Sequence, residues 1–224
     1  MESSSSANSN HIIIDPALAP FLCTPAQFLA RHPDLHGVLA GAVVYRRSPD
    51  HARGLETLAI RRAATDSWPL LWEHPGGSVE VDKDPSLVHA AVRELQEEGG
   101  LVARRVICPV GLRKMFSSAG VEILVEEEDA RMDSDDSLLI FRAKGRNWGK
   151  LTVLVDVREA DATVNPQEHD RYYWMTQDEV ANGRLQLLQN ESIRFVSEGV
   201  KRTLLEGFRL LNDPTLADGA PHTS

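Results

Sequence analysis

Glu94, Glu97 and Glu98 fall within five consecutive residues, with Arg93 immediately before them. On a helix turning about 100° per residue, the three carboxylates share one arc, at the i, i+3 and i+4 spacing that makes side chains neighbours. Like charges placed this way repel, and a divalent cation relieves the repulsion. Carboxylate oxygens are hard ligands that suit Mg²⁺ or Mn²⁺ rather than zinc, with waters and the substrate's own phosphate oxygens completing the shell. Standing alone, an E-x-x-E-E fragment also describes an ordinary charged surface helix. Its neighbours have to decide.

The helix that would carry these groups has an apolar arc of Leu87, Val88, Ala91, Val92 and Leu95. The carboxylates border that arc, so the helix can pack on a sheet and still present oxygens at the rim of a cleft. Asp84 reads as an N-cap with Pro85 at the first helical position, and Gly99-Gly100 reads as the stop signal. Upstream, Gly37 to Tyr45 reads as a buried strand, a polar turn follows, and Leu55 to Ile60 returns. Downstream, strands are expected across 101–116, 138–142, 151–157 and 172–175, a short helix from Thr176, and a long amphipathic helix over 190–211. Strands and helices mixed without regular alternation favour an α+β fold over a doubly wound one.

Together these residues resemble the Nudix hydrolases, whose box runs G-x5-E-x7-R-E-U-x-E-E-x-G-U with U aliphatic. The second half matches without a gap at Arg93, Glu94, Leu95, Glu97, Glu98, Gly100 and Leu101. Trp72-Glu73-His74-Pro75-Gly76-Gly77 resembles the family's W-E-x-P-G-G lead-in. The first half departs: the gap from Gly77 to Arg93 is two residues longer than the pattern, and Pro85 stands where the family has its first glutamate. Asp84 is the nearest carboxylate. The resemblance implies a mixed β-sheet sandwiched between helices, binding of Mg²⁺ or Mn²⁺ by Glu94, Glu97, Glu98 and the carbonyl of Gly76, and hydrolysis of a diphosphate bond. It also implies that Arg93 orients the carboxylates. Asn165-Pro166-Gln167-Glu168-His169, ahead of an aromatic strand, resembles a late loop in which a glutamate approaches the metal. Glu168 and Glu97 are therefore the two candidates for the base.

The substrate is expected to be a nucleoside diphosphate derivative or another organic diphosphate. Arg61 and Arg62 follow the strand leading to the cleft and are candidates to meet phosphate. Trp72, His74 and Phe116 are candidates to line an aromatic or apolar pocket, although such side chains serve equally as core. Two other classes stay open. A non-catalytic Nudix-like module that binds a nucleotide or a protein is one, motivated by the irregular half of the box. A diphosphate isomerase is the other, but neither Cys23 nor Cys108 sits in a matching motif.

Length and composition bound the rest. A chain of 224 residues that is 42% hydrophobic and 25% charged has ordinary globular composition. One Nudix-like domain is expected over 21–211, with a loose N-terminal tail over 1–20 and a flexible tail over 212–224. A net charge of −9 argues against general nucleic-acid binding, which needs a basic footprint. No apolar run is long enough for a membrane span, and the serine-rich start lacks a secretory pattern. Residence in the cytoplasm follows as the default. Homodimers are common in the family, so a homodimer is one expected state. The acidic stretch near 126–136 lacks the glycine and terminal glutamate of a calcium loop, and is expected to be a solvated insertion between strands.

Overall fold

A computed structural model describes residues 11–112, 128–188 and 191–213. Its centre is a mixed sheet built on two long strands, β2 (Gly37–Arg47) and β9 (Arg146–Val157). They run parallel, from Gly37 opposite Trp148 to Val44 opposite Val155. Strand β6 (Ala103–Pro109) pairs antiparallel to the far side of β9. At the other end, β3 (Leu55–Arg62) pairs antiparallel with the end of β2 and with β10 (His169–Thr176). Two short strands complete the frame of the site: β4 (Trp72–Glu73) beside β3, and β5 (Gly76–Ser78) beside the first half of β2.

Both faces of this sheet are covered, so its strands read as continuous apolar runs rather than alternating ones. Within β2, Ala40, Ala42 and Val44 join one core, and Val43 and Tyr45 join the other. The first core takes its other half from helix α1 (Pro25–Arg31) and helix α2 (Leu87–Gly99). The second takes it from the short helix Gln177–Asn182 and the C-terminal helix Glu198–Leu211. This is the expected α+β arrangement of a mixed sheet between helices.

Several expectations are corrected. The tail over 1–20 is not loose throughout: β1 (Ile13–Ile14) pairs parallel with β6, and the 3-10 turn Pro16–Phe21 places Leu18 fully inside the first core. Helix α2 begins after Ser86, whose hydroxyl accepts from the His89 amide, and not after Asp84. The C-terminal helix begins after Ser197. The expected earlier part is instead extended around the short strand Glu191–Ser192, and Phe195 bridges to Trp72. The acidic stretch is not a simple loop, because β7 (Glu128–Met132) pairs with β8 (Leu139–Ala143), which continues into β9 through a hairpin. Residues 126 and 127 and the tail beyond Asp213 lie outside the described residues.

Candidate functional site

Helix α2 buries Leu87, Val88, Ala91 and Leu95 against the sheet. Gly100, at φ 66°, ends it in a left-handed cap whose amide donates to the Gln96 carbonyl. With the apolar stripe fixed, the glutamates separate by depth. Glu94 and Glu98 are turned in towards β5 and buried, whereas the Glu97 side chain is 56% exposed.

Arg93 ties this end of the helix together. Its Nε and Nη2 donate to the two carboxylate oxygens of Asp84 at 2.9 and 3.0 Å. Its Nη1 donates to Glu94 and to Glu97, each at 2.9 Å, and Nη2 also reaches the Ser78 carbonyl at 3.2 Å. A guanidinium fork is matched to this bidentate recognition of carboxylate. Asp84 therefore takes up the arginine from a loop position, and also accepts from the Glu80 amide at 2.7 Å. Burial alone would raise the Asp84 carboxyl; the Arg93 bonds and the Glu80 amide outweigh it and hold its pKa below the ordinary value. The Asp84 bonds, more than any other contact, hold Arg93 charged above its usual range.

The floor of the site is Gly76-Gly77. The Gly76 amide donates to Glu98 Oε2 at 2.7 Å. A Cβ on Gly77 would lie 2.6 Å from Glu94 Oε1, so only glycine lets that carboxylate lie on the strand. Burial raises the pKa of Glu94 and pushes that of Glu98 up to about 9. For Glu98 the Gly76 amide works against the shift, and the nearby charges of Glu73, Glu94 and Glu168 add to it.

Glu98, Glu168 and His169 bring ligand atoms within 4.8 Å of one another. Buried His169 places Nε2 3.2 Å from Glu73 Oε1 and 4.0 Å from Glu98 Oε1, and its Nδ1 has no partner. The donor set around the floor is mostly carboxylate, with Arg93 beside Glu94 and Arg62 beside Glu73 as its paired cations. That chemistry fits Mg²⁺ or Mn²⁺.

A cleft of about 530 Å³ opens from this floor. Glu73, His74, Gly76, Gly77 and Ser78 form one end. Phe141, Arg142, Lys144, Trp148 and Lys150 of the β8–β9 hairpin form another wall, and Trp68 reaches in from the segment between β3 and β4. Lys144 and Lys150 make no salt bridge among the described residues, and Arg142 stands opposite Glu128 in the β7–β8 ladder.

The structure brings Gly76, Arg93, Glu94, Glu97, Glu98 and Glu168 to one end of helix α2 and the strand β5 beside it. Other candidates are placed differently. Trp72 is a core residue, 1% exposed among Tyr45, Met175 and Phe208, and does not line the cleft. Arg61 grips Asp170 with two bonds of 2.9 and 2.8 Å, reaches Glu191 at 3.4 Å, and is not a cleft residue. Arg62 does border the cleft, but each of its three guanidinium nitrogens already donates, to Ser67, Glu73 and Asp66. His74 borders it too with its ring buried; burial, with Lys150 nearby, lowers its pKa to about 3, so it stays neutral. Phe116 lies outside the described residues. The aromatic and basic residues of the hairpin, and Trp68, were not singled out from sequence. Their only signal was the alternation of Phe141, Arg142, Lys144, Trp148 and Lys150 around the turn Lys144-Gly145.

The sequence matches the model of the NUDIX domain over residues 36–197, well over half of the chain. The chain belongs to the Nudix family. No curated protein matches it. Among solved structures, this Nudix chain is similar to a MutT protein from Methanosarcina mazei Go1 at 19% identity and a TM-score of 0.46, covering 79% of this chain and 95% of that one. It is also similar to a C. elegans Ap4A hydrolase at 18% identity and a TM-score of 0.46, covering 79% and 98%. The Nudix hydrolase RenU from M. smegmatis matches at 19% identity and a TM-score of 0.49, covering 84% and 89%. Among the described residues, no helix is long and apolar enough to cross a membrane.

Proposed function

We propose that this Nudix protein is a Mg²⁺- or Mn²⁺-dependent hydrolase of a diphosphate bond in a nucleoside diphosphate derivative or other organic diphosphate. The observation that carries this reading is the Arg93 hub. One guanidinium orients Glu94 and Glu97 beside the Gly76-Gly77 floor, where Glu98 and Glu168 complete a carboxylate set at the end of an aromatic and basic cleft.

Glu94, Glu97, Glu98 and Glu168 would hold the cation, with the Gly76 carbonyl at hand. Such a cation, when bound, neutralises phosphate charge and acidifies a water. The chain's own residues do the rest. Arg93 holds two carboxylates in fixed directions, which limits the reorganisation needed when a substrate arrives. Glu97 or Glu168, both open to solvent, takes the proton from the attacking water. Arg142, Lys144 and Lys150 attract the anionic ligand, and Trp68 and Trp148 offer faces on which a ring can lie.

The irregular half of the box, which motivated a non-catalytic module, loses force because Asp84 supplies Arg93 with a carboxylate partner. An isomerase relying on a cysteine finds no support either. Cys23 and Cys108 do not border the cleft, and burial pushes the Cys108 thiol up to about 11.

The deciding experiment is a panel of nucleotide sugars, dinucleotides and prenyl diphosphates incubated with Mg²⁺ or Mn²⁺ and read by mass spectrometry. Monophosphate products that disappear with EDTA are expected. Binding without turnover across the panel would establish the non-catalytic module instead, and a product that keeps its diphosphate would establish the isomerase.

A further inference from the structure

The segment 63–71, between β3 and β4, holds two large apolar residues in an unusual state. Trp68 at φ 60° and Leu70 at φ 62° are both in the left-handed region, and their side chains are 47% and 48% exposed. Residues with a Cβ adopt this conformation only where their surroundings over-determine it. Here Arg62 does so. Its Nε donates to the Ser67 carbonyl at 2.6 Å and its Nη2 to Asp66 Oδ2 at 2.6 Å, while its own backbone bonds Leu70 and Leu71.

The third arm of the same guanidinium leads elsewhere. Arg62 Nη1 donates to Glu73 Oε1 at 2.7 Å, and that same oxygen faces His169 Nε2 at 3.2 Å. His169 belongs to the group with Glu98 and Glu168. A backbone bond runs alongside, from the Ala63 amide to the Glu168 carbonyl at 2.8 Å. One end of this chain of contacts is thus the Asp66-Ser67 segment that carries cleft-lining Trp68, and the other is the carboxylate–imidazole group.

We propose that Arg62 and Glu73, with His169 between Glu73 and Glu98, are positioning residues that couple a ligand ring resting on Trp68 to the readiness of Glu98 and Glu168 to hold a cation. The coupling rests on the cleft and cation reading given above, and it goes beyond it. Glu73 Oε1 meets both His169 and Arg62, and Arg62 in turn holds the segment that carries Trp68, so one oxygen links the two sites. Linkage is reciprocal: whatever the cation does for the ligand, the ligand does for the cation.

The test uses the full chain, with Mn²⁺ affinity read by electron paramagnetic resonance and ADP affinity read by calorimetry at saturating Mn²⁺. Glu73→Gln is expected to weaken Mn²⁺ binding by roughly tenfold to a hundredfold and to weaken ADP binding as well. Trp68→Ala is expected to weaken ADP binding by about tenfold with little change in Mn²⁺ affinity. In the double variant the two ADP losses should fall well short of their product, because both act through one connection. Arg62→Lys keeps the charge but loses the fork, and should match Glu73→Gln in its ADP defect. Unchanged thermal midpoints would show that all variants fold. An unaltered Mn²⁺ affinity in Glu73→Gln, ADP losses that multiply, or a wild-type protein that does not bind ADP would each overturn the coupling. Turnover is scored separately: coupled binding without hydrolysis would sink the hydrolase and leave this proposal standing.

Discussion

The box beside the cleft and the hairpin that walls it treat charge in opposite ways. Along the box, cations are saturated: Arg93 is shared by Asp84, Glu94 and Glu97, and Arg62 by Asp66 and Glu73. Along the β8–β9 hairpin, Lys144 and Lys150 have no acidic partner among the described residues. A saturated guanidinium sets geometry, because releasing it would leave a partly buried carboxylate unpaired, which is costly. An unpaired cation beside a cleft is available to an incoming anion, and long-range attraction is its natural contribution. Under the proposed function, the box would serve the chemistry and the hairpin wall the recognition of an anionic ligand, in a protein whose net charge is −9.

The sharpest way to break this contrast is Glu97→Gln. This side chain is exposed, so its loss should leave the thermal midpoint unchanged while turnover falls by roughly 10²–10⁴-fold. Near-normal turnover on the best substrate of the panel would mean that the box is not where the reaction occurs.

Asp84→Asn comes next. Arg93 would lose its charged bidentate partner, and turnover should drop by about 10–100-fold. Since the native pKa of Asp84 is depressed, its contribution to stability is present above the ordinary carboxyl range and disappears as the pH falls through the native value. The variant should consequently lose the part of the wild-type acid sensitivity that Asp84 supplies, which urea melts between pH 3 and pH 7 would show.

Glu98 works in the reverse sense. With its native pKa raised to about 9 by burial, the fold holds this proton more tightly than the unfolded chain does. Its contribution is full below the ordinary carboxyl value and is lost as the pH rises towards 9. A cation needs the deprotonated form, so Mn²⁺ affinity should tighten by up to roughly tenfold per pH unit above neutrality and level off beyond the native pKa. A flat Mn²⁺ titration from pH 6 to pH 9 would remove Glu98 from the cation site.

The smallest effect belongs to the hairpin. Arg142→Ala and Lys150→Ala should each raise the KM for an anionic substrate by about 2–10-fold with little change in kcat, and the defect should shrink as salt screens the field. A change confined to kcat would contradict a recognition role.

The box helix was legible in sequence because its apolar stripe and its carboxylates repeat with the helical period, and both follow from local spacing. Asp84 was misread because a motif counts positions, whereas Arg93 responds to distance: a carboxylate one residue earlier, on a longer loop, reaches the same fork. Its cap role passed to Ser86 for the same reason. Trp72 was offered to the pocket because aromatic character does not reveal which face of a two-sided sheet a side chain joins. The start of the C-terminal helix was set too early because Ile193 and Phe195 are apolar in extended and helical backbone alike. Ser197, a good N-cap, marked the true start. The hairpin wall and Trp68 were missed because their proximity depends on strands far apart in the chain.

The buried position of Leu18 has a consequence for what counts as a folding unit. The stretch shared with the family spans residues 36–197. Yet Leu18, Phe21 and Phe28 fill the core behind the box helix, and Leu204 and Phe208 fill the opposite one. Cut to the shared stretch, the molecule would keep every residue of the proposed site and lose part of the packing on each side of its sheet. Homology would then be intact in a polypeptide prone to collapse or aggregate, because here the inherited motif and the minimal cooperative unit are different lengths of chain.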